Sequence, residues 1–210
     1  ENTTGWQGIY HQNGAEKHNK VISWIGPEGT YEPVWVSDLE ADGPAGGWTA
    51  EVPNTNKNLS YRYSVWIRED EGEDHSVYLG CGQCKNLDHT DNGNPYFFHG
   101  NLPEKRKWYL VVGVLHSINK SDAQDSGISG VYDPETGEKV LSGSEFKQSD
   151  SSNTHVHRVF RFYAKNDKYA MFCRPRIEAI TGEEMSLGLL MGRIPKDGQT
   201  PQITTNADGS

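Results

Sequence analysis

The run "KWYLVVGVLH", from Lys107 to His116, is apolar on both of its alternating faces. Side chains of a strand point in turn to opposite sides, so a run like this has to be covered twice. A single sheet with one wet face cannot accommodate it. Gly113, inside the run, predicts either a bulge or a close approach of another group to the backbone.

The neighbouring segments carry the same period of two. In "LSYRYSVWIRE", Tyr61, Tyr63, Val65 and Ile67 fall on one face, and Arg62, Ser64 and Arg68 on the other. Trp66 is the exception, an aromatic ring on the polar side. "HSVYLGCG" predicts a further strand. "GISGVYDPETGEKVLSG" predicts a hairpin about Asp133–Gly137, where Pro134 sets φ and Gly137 takes the positive φ. "HVHRVFRFYAKNDKYAMFCRPRIEAI" predicts two long strands joined at Asn166 and Asp167.

Helical composition is confined to "ITGEEMSLGLLM", Ile180 to Met191, and Gly188 weakens it. About nine to eleven strands without intervening helices predict an all-β fold, a two-sheet antiparallel β-sandwich of the jelly-roll or lectin-like kind. The expected organisation is one domain over residues 1–193, with 1–45 less regular, and a linker or extended tail over 194–210. Within the first part, "NGAEKHNKVISWIGPEGTYEPVW" reads as an extra hairpin.

Only 34% of the residues are hydrophobic, but ten tyrosines, six tryptophans and six phenylalanines supply a core, and 23 glycines supply turns. The formal charge of -9 argues against a nucleic-acid partner, whose phosphates require a basic face. No apolar run is long enough for membrane insertion. The chain starts at Glu1 without a signal peptide and reads as a monomeric module excised from a larger protein. Three cysteines cannot staple 210 residues. Cys81-Gly-Gln-Cys84 precedes no convincing helix and has no second pair, so it reads as a strand-edge pair, reduced or disulfide-linked, and not as a redox or zinc centre.

Two clusters offer hard oxygen donors of the kind calcium takes six to eight of. "DHTDNGN" contains Asp88, Asp91, Asn92 and Asn94, and "NKSDAQDSG" contains Asn119, Asp122 and Asp125. Neither has EF-hand spacing, and plain turn formation explains the same residues equally well. Because they flank the central strand on either side, they are expected at opposite ends of a sandwich, unless long loops fold back. Motifs for catalysis are missing: no Gly-x-Ser-x-Gly, no His-Glu-x-x-His and no phosphate loop. His155 and His157 alternate on one strand face, where isolated histidines are usually plain surface or core residues. For ligand contact the candidates are Trp66 and Tyr96 as exposed rings, with Arg174 and Arg176 as guanidinium groups for a carboxylate.

The rhythm of "YSVWIR", "NPYF", "WYLVVG" and "RPRIE", over Gly46 to Gly192, resembles a jelly-roll domain of secreted marine bacterial proteins and phage tail fibres. It is also similar to the ligand-binding domains of calcium-dependent RTX adhesins, including their peptide-binding domain. That resemblance implies a non-catalytic, extracellular adhesion module, projecting from a cell or virion surface and binding a peptide, protein or glycan on another surface, with Ca2+ as cofactor. The alternative is a carbohydrate-binding domain of a polysaccharide-degrading enzyme or tail fibre, and a small lyase or hydrolase is a third reading.

Overall fold

The structure, a computed structural model, describes residues 19–37, 46–52, 55–70, 76–150, 155–162 and 169–192. The segments 1–18 and 193–210, with the expected tail and the Asn166–Asp167 turn, lie outside the described residues. The chain runs through β1 (Asn19–Ile25), β2 (Tyr31–Ser37), β3 (Gly47–Val52), β4 (Tyr61–Glu69), β5 (Ser76–Gly80), β6 (Cys84–Asn86) and β7 (Asp91–Asn92). It continues through β8 (Tyr96–Gly100), β9 (Trp108–His116), β10 (Gly130–Tyr132), β11 (Lys139–Ser142), β12 (Phe146–Lys147), β13 (His155–Phe162), β14 (Ala170–Ala179) and the one-turn helix α1 (Leu187–Leu190).

These strands form a two-sheet β-sandwich. The large sheet has the order β1-β2-β14-β4-β9-β12-β6-β7, with the β10–β11 hairpin also leaning on β9. The small sheet has the order β3-β13-β5-β8. Pairing is antiparallel except where β12 runs parallel to β9 at Leu115 and His116. The expected extra hairpin is β1–β2, fully in register from Asn19–Ser37 to Ile25–Tyr31. The Asp133–Gly137 turn closes β10 onto β11, with Gly137 at φ 78° and its N–H donating to Asp133 O at 2.7 Å. The two long strands β13 and β14 do not pair with each other. They lie in different sheets, β13 between β3 and β5 and β14 between β2 and β4.

The period of two in β4 explains the first core. Tyr61, Tyr63, Val65 and Ile67 point between the sheets, where they meet Leu79, Phe97, Val159 and Phe172. Gly113 answers to the second of its two predictions. The register of β9 against β4 is unbroken, and a Cβ at Gly113 would lie 2.1 Å from Cγ of Phe97. The Phe97 ring therefore packs onto bare backbone.

The central strand β9 is apolar on both faces because a second core lies on the outer side of the large sheet. There Val34, Val36, Trp66, Trp108, Leu110, Val112, Met171 and Cys173 are closed over by Leu187, Leu190 and Met191. The chain supplies this lid after its last strand. Ser186 caps α1 by accepting from the Leu189 N–H at 3.2 Å, and the Arg62 guanidinium donates to the Met185 carbonyl. The only helical composition in the sequence thus forms a four-residue turn, short enough to lie flat on a sheet.

At the centre of the sandwich is His157, stacked between Trp48 (centroids 6.1 Å apart) and Tyr63 (5.8 Å). The Trp48 Nε1–H donates to His157 Nδ1, and His157 Nε2–H donates to the Ser64 carbonyl, both at 3.3 Å. One nitrogen accepting and the other donating defines a neutral ring. Burial holds its pKa down at about 4, the Ser64 bond working the other way. His157 is a core residue, and the side chain of His155 is outside the described set.

Candidate functional site

The outer face of the small sheet is where aromatic rings reach solvent together. On β5, Val77 and Leu79 are fully buried, so Tyr78 between them turns outward. On β8 a bulge opposite Leu79 and Gly80 lets Phe97 and Phe98 both turn into the core. A bulge re-aims the side chains around it, and here it leaves Tyr96 and His99 on the outside. The Tyr78 and Tyr96 rings meet edge to face at 4.8 Å, and His99 stacks on Tyr78 at 5.8 Å. Tyr78 and Tyr96 are half-buried and His99 is exposed.

The register extends this face across the sheet. Thr49, Arg158, Gly80 and Tyr96 form one transverse row. A Cβ at Gly80 would lie 2.7 Å from Cδ1 of Tyr96, so the Tyr96 ring lies against a position that has no side chain. Half-buried Arg158 faces Gly80 from the neighbouring strand. The result is a shallow surface with two tyrosine rings, an imidazole and a guanidinium.

At one end of the sandwich the two oxygen-donor clusters come together, which corrects the expectation of opposite ends. His89, at φ 72° in the first loop, bonds the Ser121 carbonyl at 3.2 Å through Nε2. Buried Lys147 joins the loops from below, donating to His89 Nδ1 at 3.1 Å and to the Lys120 carbonyl. The loop after β9 folds back, and β12 running parallel to β9 brings Lys147 to the same end.

The donors themselves form turns. Asp88 Oδ1 accepts from the Thr90 N–H and hydroxyl, Asn92 Oδ1 from the Asn94 N–H at 3.0 Å, and Asp125 Oδ1 from the Gly127 N–H. Asp122 Oδ1 accepts from Lys120 Nζ and the Gln124 N–H, both at 2.9 Å, and exposed Asp91 lies 3.9 Å from Lys85 Nζ. Among the described residues no three acidic, histidine or cysteine side chains converge as a metal cage.

Glu145 anchors the same end. Its carboxylate is fully buried and accepts from the backbone N–H groups of Ser126 (2.9 Å), Ile128 and Ser129 (both 3.2 Å), from the Ser126 hydroxyl (2.7 Å) and from His116 Nε2 (2.5 Å). Burial alone would raise its pKa, but the bonds from His116 and Ser126 outweigh burial and hold it at about 2. Serine, histidine and glutamate meet here without forming a nucleophilic relay, because the Ser126 hydroxyl is bonded to the carboxylate and not to the imidazole.

Three of the four ligand candidates stand differently from their expectation. Trp66 does lie on the outer face of β4 but is only 3% exposed, because the Leu187–Met191 lid covers it. Arg174 is already bound to Glu28 and Glu32, both at 2.8 Å, and Arg176 to Glu178 at 2.8 Å. A bulge in β14, with Arg174 at φ 50°, aims the first of these guanidinium groups at the β1–β2 hairpin. Tyr96 is half-buried on the outer face of the small sheet. The three cysteines are buried free thiols; Cys81 and Cys84 lie in the inner core and Cys173 in the outer one, so they do not gather round a metal.

No protein-family model matches the chain, and no curated protein does. Solved structures similar to it include the xylanase 10B modules of Clostridium thermocellum complexed with xylohexaose, at 10% identity and a TM-score of 0.43, covering 80% of this chain. The chain spans a quarter of that xylanase chain (25%). An exo-β-agarase matches at 13% identity and 0.45 over 77% of this chain and 22% of its own. A structure described as CBM4 matches at 12% and 0.34, over 70% of this chain and 82% of its own. None of these three likenesses reaches a TM-score of 0.5, and the adhesin resemblance of the sequence is not shown.

Proposed function

We propose that this chain is a non-catalytic module that binds carbohydrate on the outer face of its small sheet. The observation that carries the reading is the Tyr78–Tyr96–His99 cluster, three rings brought out on one sheet face by an alternation and a bulge. Tyrosine and histidine offer flat apolar area with a polar edge and little entropy to lose, which suits the mixed apolar and hydroxyl surface of a sugar. The reading rests on this face alone, since likenesses with TM-scores of 0.34 to 0.45 add no weight to it. Presented at a cell surface by a longer chain, the same binding would serve adhesion.

Affinity electrophoresis through a panel of soluble polysaccharides, followed by titration calorimetry, tests the proposal. Tyr78→Ala and Tyr96→Ala each weaken binding about tenfold, the equivalent of 1.4 kcal/mol, without changing the melting temperature by more than a few degrees. Retardation by no polysaccharide, or equal retardation of both variants and the parent, would sink it. Sugar release in the same mixtures would instead point to catalysis.

Calcium is a separate proposal, placed on Asp88, Asp91, Asn92, Asn94, Asp122 and Asp125 at the loop end. Melting with excess calcium and again with chelator decides it. A site filled a hundred-fold above its Kd adds about 2.7 kcal/mol, a shift of several degrees, and coincident curves remove the ion.

A further inference from the structure

We infer that the sugar this face selects is acidic, with its anionic group held by Arg158; the inference rests on the carbohydrate-binding reading. Every other arginine whose side chain is described already has a carboxylate. Arg62 pairs with Glu178 at 2.8 Å, Arg68 and Arg106 share Asp70 at 3.9 and 3.6 Å, Arg174 holds Glu28 and Glu32, and Arg176 holds Glu178. Arg158 is half-buried and, among the described residues, makes no ion pair or hydrogen bond. In a chain with 29 acids against 20 bases, an arginine that meets no described carboxylate is conspicuous.

Its position turns that vacancy toward a ligand. Arg158 lies on the same outer face as Tyr78 and Tyr96, and in its row only Gly80, onto which the Tyr96 ring packs, stands between it and Tyr96. A guanidinium presents paired N–H donors in a plane, the shape that grips a carboxylate or sulfate through two bonds. A sugar ring resting against Tyr96 and Tyr78 would bring an acidic substituent over Gly80 to Arg158. The net charge of -9 opposes indiscriminate adsorption of polyanions, so recognition depends on this one local group.

The test uses the full chain in calorimetry at fixed salt. The carboxylated probes are polygalacturonate, alginate and hyaluronate oligomers, each beside its carboxyl-reduced neutral form; the sulfated probe is a sulfated galactan oligomer beside its desulfated form. The expected result is at least tenfold tighter binding of one acidic probe than of its neutral counterpart. Arg158→Gln abolishes that difference, Arg158→Lys restores part of it, and both variants melt with the parent. Preference for carboxylated or sulfated oligomers identifies the group. Equal binding of acidic and neutral forms, with Tyr78→Ala still weakening both, overturns the inference and leaves carbohydrate binding standing. An acidic preference that survives Arg158→Gln overturns the role of Arg158. Failure of every probe, with Tyr78→Ala indistinguishable from the parent, removes the carbohydrate reading and this inference with it.

Discussion

Protonation of one buried ring should dominate how this sandwich responds to mild acid. His157 is neutral in the folded chain because each nitrogen is matched, Nδ1 to the Trp48 N–H and Nε2–H to the Ser64 carbonyl. Its pKa is about 4 in the fold against an ordinary 6.5. Between those values the unfolded chain takes up a proton that the folded chain refuses, so stability falls as pH falls, by about 1.4 kcal/mol per pH unit. The loss begins below pH 6.5 and is complete once pH passes the folded value. From pH 7 to pH 5 this amounts to about 2 kcal/mol, and to about 3 by pH 4. Comparison with His157→Gln isolates this contribution. The variant is the less stable protein at pH 7, having lost a stacked ring between Trp48 and Tyr63. Urea unfolding of both proteins at pH 7, 6 and 5 should show the gap between them narrowing by about 2 kcal/mol. A gap that stays constant over that range would refute the assignment of a neutral, acid-resistant ring to the centre of the core.

Glu145→Gln should lower the unfolding free energy at pH 7 by about 2–4 kcal/mol, since five donors lose a charged acceptor. With a folded pKa of about 2 against an ordinary 4.5, the carboxylate's contribution is complete above pH 4.5 and lost toward pH 2, so thermal melts of variant and parent should converge there. Gly113→Ala should cost about 1–3 kcal/mol by driving a methyl into the Phe97 ring. Adding Phe97→Leu should recover part of that cost, as a double-mutant cycle in urea would read. A disulfide reagent should label none of Cys81, Cys84 and Cys173 in the native chain and all three in urea, because burial raises the Cys81 and Cys173 pKa values and hides every sulfur.

The sandwich itself was legible because its cause is local. Alternation in Tyr61–Ile67 and the two-sided run at Lys107–His116 follow from strand geometry, and both segments sit where the period places them. The Gly113 approach and the Asp133–Gly137 turn were readable for the same reason. What the sequence did not show was which residues cover the outer face. Trp66 lies on the side the period gives it, yet residues more than a hundred positions later close over it. Arg174 could not be seen to be occupied, since Glu28 and Glu32 approach from the distant β1–β2 hairpin, whereas the partner of Arg176, Glu178, lies two residues on along the same strand. The candidate face was half legible. Tyr78 alternates with Val77 and Leu79 in plain sight, but the bulge that brings Tyr96 and His99 beside it is a property of the pairing, not of either strand alone.

The lid over the outer core also decides where this domain can be cut and joined. A fusion partner attached at the end of β14, after Ala179, would strip Leu187, Leu190 and Met191 from the outer core that holds Trp66, Trp108 and Leu110. One tryptophan-sized area of about 200 Å² carries about 5 kcal/mol, on the scale of the whole stability of a small domain. A graft that ends at Gly192, where the N–H closes onto the Leu189 carbonyl at 3.0 Å, keeps that surface dry. A shorter graft would trade a closed domain for one with an apolar patch open to association.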